Sequence, residues 1–118
     1  MSYSIFLSHA TEDAAIAKTI KEKLNKIFPE LSIYLATDEI RSGTKWKDEL
    51  KQNLQEHNAI ITLISQISID KPWIYTEWSP FWMAEKPFHL LLLDDKLKKD
   101  LIGPMKDCQT VDLKVRQQ

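Results

Sequence analysis

Glu77 sits in the most aromatic stretch of the sequence, Pro72-Trp73-Ile74-Tyr75-Thr76-Glu77-Trp78. On a helix, Trp73 and Glu77 stand one turn apart and share a face, with Phe81 a turn further on. Aromatic neighbours strip water from a carboxylate, an environment that raises proton affinity unless a donor satisfies the group. Such a setting suits catalysis, although an acid near a helix start also serves as a partner for the helix dipole. The neighbouring stripe, Ile74, Trp78 and Trp82, reads as core. Pro80 leaves two alternatives: a helix kinked at that point, or a fresh helix capped by Ser79 with Pro80 in its first turn.

A second chemical stretch is Asp38-Glu39-Ile40-Arg41-Ser42-Gly43-Thr44-Lys45-Trp46. It is long for a connection, carries both signs of charge and holds a glycine able to take positive φ. It reads either as a solvated loop with Thr44 capping the next helix, or as a flap or docking surface. His9 follows an apolar run and reads either as lining a pocket or, as a lone histidine more often is, as structural or exposed. His57 and His89 read as structural or exposed; Asp94-Asp95 reads as a cation site or, lacking a third ligand, as a solvated turn.

The elements that must carry these residues alternate. Tyr3 to Ser8 is a short apolar and aromatic strand. Thr11 is placed to cap a helix, with Glu12 and Asp13 near the positive end of its dipole. Ile16, Ile20, Leu24 and Ile27 form its apolar stripe, the lysines at 18, 21, 23 and 26 a solvated surface, and Pro29 its stop. Leu31 to Leu35 is a second strand. A helix follows Thr44 with Trp46, Leu50 and Leu54 inward. Ala59 to Ile64 is a third strand, closed by Ser65, and the aromatic helix runs from Pro72 towards Lys86. Pro87 to Leu93 is a fourth strand, followed by a charged turn around Lys96 to Asp100 and a Gly103-Pro104 break. Cys108 to Val115 is a last short strand. Apolar strands alternating with helices predict an α/β fold with a parallel sheet covered on both faces. Ligands in such sheets bind beyond the carboxyl ends of the strands. The candidates there are Ser8 to Ala10, Thr37 to Trp46, Ser65 to Glu77, and Asp94-Asp95.

Composition excludes whole chemistries. The 118 residues suffice for one domain, and the 43% apolar, 28% charged make-up is that of a globular chain. Two glycines, Gly43 and Gly103, cannot build a dinucleotide fingerprint, a phosphate-binding loop or a nucleophile elbow. One cysteine, Cys108, rules out an intrachain disulfide and a cysteine-pair zinc site. A net charge of −1 offers no electrostatic attraction for nucleic acid. Apolar runs such as Leu90 to Leu93 are far too short to span a membrane, and no leader is seen at the start, so a cytoplasmic location is expected.

Four segments, in this order, resemble a Toll/interleukin receptor (TIR) domain. Ile5-Phe6-Leu7-Ser8-His9-Ala10-Thr11-Glu12-Asp13 resembles the family's first strand and acidic helix start. Asp38 to Trp46 resembles the loop after its second strand, Leu63-Ile64-Ser65 the end of its third strand, and Trp73-Ile74-Tyr75-Thr76-Glu77 its Trp-x-x-x-Glu pattern. The resemblance runs from about Ser4 to Asp94. It departs at Ala36, where catalytic members often carry an acid and where Asp38 follows two positions later. Ala10 stands where a basic residue is common, and Pro80 where the helix usually continues.

The resemblance implies a flavodoxin-like three-layer sandwich with about five parallel strands. In catalytic members it also implies cleavage of the nicotinamide–ribose bond of NAD, bound as substrate and not as a cofactor, with Glu77 as the catalytic residue. Ser8, His9, Asp38, Trp46, Ser65 and Trp73 would border the NAD site, and no metal is implied. The function so implied is an assembly-activated NAD glycohydrolase of defence or cell death, self-associating through Asp38 to Gly43. Because one more covering helix would be expected after Val115, the chain reads as one TIR domain, residues 1–118, of a longer protein with a sensor or oligomerisation domain after it or a separate trigger. The competing reading is a non-catalytic TIR module that scaffolds a signalling complex through the same loop. A phospho-receiver needs acids after the first strand and an Asp ending the third, where this chain has Ser8-His9 and Ser65.

Overall fold

The computed structural model describes residues 3–36 and 46–112. Its centre is a five-stranded, all-parallel sheet in the order β2-β1-β3-β4-β5. The strands are β1 (Ser4–Ser8), β2 (Ser32–Leu35), β3 (Ala59–Ile64), β4 (Phe88–Leu92) and β5 (Thr110–Asp112). Helices α1 (Ala14–Ile27), α2 (Trp46–Glu56) and α3 (Pro72–Met83) complete a flavodoxin-like α/β fold.

Side chains alternate between two cores because successive residues of a strand face opposite ways. Ile5, Leu7, Ile33, Ile61 and Leu63 meet Ala17, Ile20 and Leu24 of α1 on one face. Phe6, Ile60, Ile64, Leu90 and Leu92 meet Ile74, Trp78 and Phe81 of α3, with Leu54 of α2, on the other. This double burial explains why β3 is apolar at every position but Thr62.

The expected stripe on α1 is displaced. Ile16 and Ile27 are 41% and 68% exposed, and the buried contact is centred on Ala17, whose small side chain permits close approach to the sheet. Nor does Thr11 cap the helix. Thr11–Asp13 forms a one-turn 3-10 helix, α1 begins at Ala14, and Asp13 precedes it without a side-chain cap. Phe28 before Pro29 has left the helical region, at φ −126° and ψ 82°, since proline disfavours that region in the residue preceding it.

In α3 the helix runs from Pro72 through Pro80 to Met83, so no fresh helix begins at Pro80. Pro72 lies in the first turn, where a missing N–H costs nothing. Trp82 is a correction: it is 38% exposed and stacks on Trp78, while Phe81 enters the core. The helix ends in a Schellman turn, with Lys86 N–H donating to Phe81 C=O at 3.0 Å and Glu85 N–H to Trp82 C=O at 3.1 Å. Between β4 and β5, the charged turn and glycine break are 3-10 segments, Asp95–Asp100 and Gly103–Asp107. Leu97, Leu101 and Met105 anchor them, a spacing of four that the intervening lysines conceal. Among the described residues, no helix is long and apolar enough to cross a membrane.

Candidate active site

The strand order reverses direction between β1 and β3, so the connections leaving their carboxyl ends diverge and open a crevice there. Ser8 and His9 leave β1 at this crevice, and Ser65 leaves β3. α3 brings Glu77 to the same edge. Glu77 is 2% exposed, and its Oε1 accepts a 2.7 Å hydrogen bond from Ser8 Oγ. Ser8 supplies a donor of the kind a poorly hydrated carboxylate requires. Trp73, a turn earlier on α3, is half-buried.

His9 is buried, and its Nδ1 lies 2.7 Å from the carbonyl oxygen of Ala10. A carbonyl only accepts, so Nδ1 carries the proton and, in the neutral ring, Nε2 is the acceptor.

Ser65 has a different set of partners. Its hydroxyl donates to Asp13 Oδ2 at 2.5 Å and accepts from the backbone N–H of Ser68 at 2.9 Å and of Ile67 at 3.2 Å. Ser68 reciprocates, accepting from Ser65 N–H at 2.8 Å and donating to Leu63 C=O at 2.9 Å. These bonds tie the turn after β3 to the turn after β1, and they pin two walls of the crevice together. Asp13, read from sequence as a dipole partner, is instead a buried acceptor. The Ser65-x-x-Ser68 spacing was the available signal for the turn, and nothing local marked Asp13 as its partner. Lys71 and Glu12 approach to 3.5 Å across the same gap, but both are about half exposed and contribute little.

A cleft of about 380 Å³ opens at the carboxyl edges of β3 and β4, lined by Ser65, Gln66, Leu93, Asp94, Lys96 and Lys99 among others. Asp94 is not merely solvated there: its Oδ1 accepts from Lys96 N–H at 3.0 Å and caps the following turn. Asp38 and the loop to Gly43 lie outside the described residues, as does the side chain of Trp46. The structure therefore joins Ser8 to Glu77 directly and places His9, Ser65 and Trp73 on elements bordering the same crevice.

The opposite edge of the sheet holds a structural cluster. His57 Nδ1 lies 2.6 Å from Ser4 Oγ, and its ring packs against Phe6 and Tyr34 at centroid distances of 5.6 and 5.5 Å. Lys86 donates to the carbonyls of Leu54 and His57, closing the C-terminal end of α2. Burial holds the His57 pKa below its usual value, with Glu56 opposing and Lys86 reinforcing that shift.

A family model described as TIR domain matches residues 5–118. Among solved structures, the chain is similar to a metazoan TIR-STING receptor from C. gigas, with a TM-score of 0.67 and 19% identity. The match covers 91% of this chain and 36% of that one, so the chain spans about a third of that protein's length. At this identity the likeness is one of fold. No curated protein matches the sequence.

Proposed function

Since the chain belongs to the TIR domain family, as the match over residues 5–118 shows, we propose that it is an NAD glycohydrolase. The observation that carries this reading is the buried Glu77 carboxylate, held by Ser8 at the sheet's switch-point crevice with Trp73 one helical turn away.

One carboxylate is enough for this reaction. The nicotinamide ring of NAD is already cationic and departs as a neutral molecule, so no general acid is needed. Breaking the bond to the ribose develops positive charge on the sugar, as in glycoside cleavage. Ionised Glu77 accepts hydrogen bonds from the ribose hydroxyls and stabilises that charge, an effect strengthened where water is excluded. In this reading Trp73 supplies an aromatic face for the nicotinamide–ribose or adenine end, a role the resemblance extends to Trp46. His9 and Asp38 would border the NAD site, as the resemblance implies, and Ser65 holds the wall of the crevice through Asp13. Attack by water yields nicotinamide and ADP-ribose, whereas attack by an adenine nitrogen yields a cyclic product.

In this reading the domain is an immune-defence or cell-death effector, switched on by self-association through the Asp38 to Gly43 loop. A sensor, fused or separate, supplies the trigger.

The experiment is NAD consumption by concentrated protein, with and without a crowding agent, against Glu77→Ala. Nicotinamide release by the wild type alone supports the enzyme, and the remaining product separates hydrolysis from cyclisation. An assembled wild-type chain that leaves NAD intact would move the reading to an interaction module.

A further inference from the structure

Thr62 is the polar residue of β3, a strand otherwise made of Ala, Ile and Leu, and it is fully buried. By parity it shares the face of Ile60 and Ile64, against which α3 packs. It stands in register with Ser8 of β1, whose side chain lies on the same face as Phe6. In-register neighbours on adjacent strands are about 4.8 Å apart. Ser8 spends its proton on Glu77, and its oxygen retains acceptor capacity. Beside it, the Thr62 hydroxyl has no hydrogen-bond partner among the described residues. A buried hydroxyl without a partner is unfavourable, and valine would fill the same space without that penalty.

Resting on the NAD-cleavage reading, we infer that Thr62 is a positioning residue for Glu77, acting through Ser8. As positive charge develops on the ribose, the Glu77 carboxylate is drawn closer to it, Ser8 follows and the Thr62 hydroxyl donates to Ser8 Oγ. Each oxygen keeps its own proton throughout. The Thr62 hydroxyl is satisfied only in the engaged state, so its bond favours the transition state over the resting protein.

The test compares wild type, Thr62→Val and Thr62→Ser for melting temperature and for steady-state NAD cleavage under assembling conditions. Thr62→Val is expected to melt about 4 °C higher or more. Its kcat should fall about tenfold with KM unchanged, and Thr62→Ser should restore kcat. A Thr62→Val enzyme with wild-type kcat overturns the inference, leaving a hydroxyl of no consequence to the reaction. A lower melting temperature also overturns it, because the hydroxyl would then already be bonded in the resting chain. Absence of NAD loss by the assembled wild type removes the parent reading itself, a result distinguishable because the reference protein is then silent.

Discussion

Ser8 and Glu77, 69 positions apart in the chain, meet through a 2.7 Å hydrogen bond buried at the carboxyl edge of the sheet. The contact joins the end of β1 to the middle of α3. It supplies the carboxylate with a donor and fixes the direction in which one of its oxygens faces.

Replacing Glu77 by Gln keeps an oxygen for Ser8 and removes the charge. NAD cleavage should fall by about a hundredfold or more, as expected when a group that stabilises developing charge is lost. The melting temperature should stay close to that of the wild type. Nicotinamide release alongside a thermal melt checks both, and a Glu77→Gln chain with full activity would remove Glu77 from the chemistry.

The pair Asp13 and Ser65 should behave as a coupled unit. Ser65→Ala leaves a buried carboxylate short of a donor and strips two N–H groups of their acceptor, so a loss of about 1–3 kcal/mol is expected. In a double-mutant cycle with Asp13→Ala, the two losses should fail to add by about 1 kcal/mol or more. Urea denaturation of the four proteins measures the coupling, and strict additivity would show that the bond is not made in solution.

His57 sets a pH dependence of stability. Its folded-state pKa lies below the ordinary 6.5 through burial, so the folded chain prefers the neutral ring. This contribution is fully present above pH 6.5 and is lost as pH falls through the depressed folded value. Melting temperatures from pH 7.5 to 5 should therefore fall more steeply for the wild type than for His57→Gln. Parallel slopes would mean that other groups carry the whole acid response.

Glu85 closes α3 with φ +59°, in the left-handed region. A side chain there is strained, and its position in the Schellman turn is the one that glycine ordinarily takes. Glu85→Gly should therefore stabilise the fold by about 1 kcal/mol. The change is readable as a higher midpoint in urea, and a lower midpoint would show that the Glu85 side chain makes a favourable contact outweighing the strain.

Local pattern was sufficient for the elements. The apolar run Ala59 to Ile64 is β3 to the residue, Pro29 and Pro72 bound helices as their fixed φ requires, and the Trp73–Glu77 spacing places both residues on one helix. Family resemblance singled out Glu77, and the structure surrounds it with protein. What the sequence left open is what depends on which elements touch. Ile27 looks like core by periodicity yet ends up exposed, because the buried face of α1 is centred on Ala17 and not on Ile16. Trp82 gives way to Phe81 in the same manner. The partners of Ser8 and Asp13, and the neighbour that Thr62 faces across the strands, are decided by strand register and by the packing of α3 on β1 and β3. Periodicity records which residues turn inward together along one element, since that is a property of the helix or strand itself. Which inward residue meets which is a property of the assembled sheet, and only the tertiary structure supplies it.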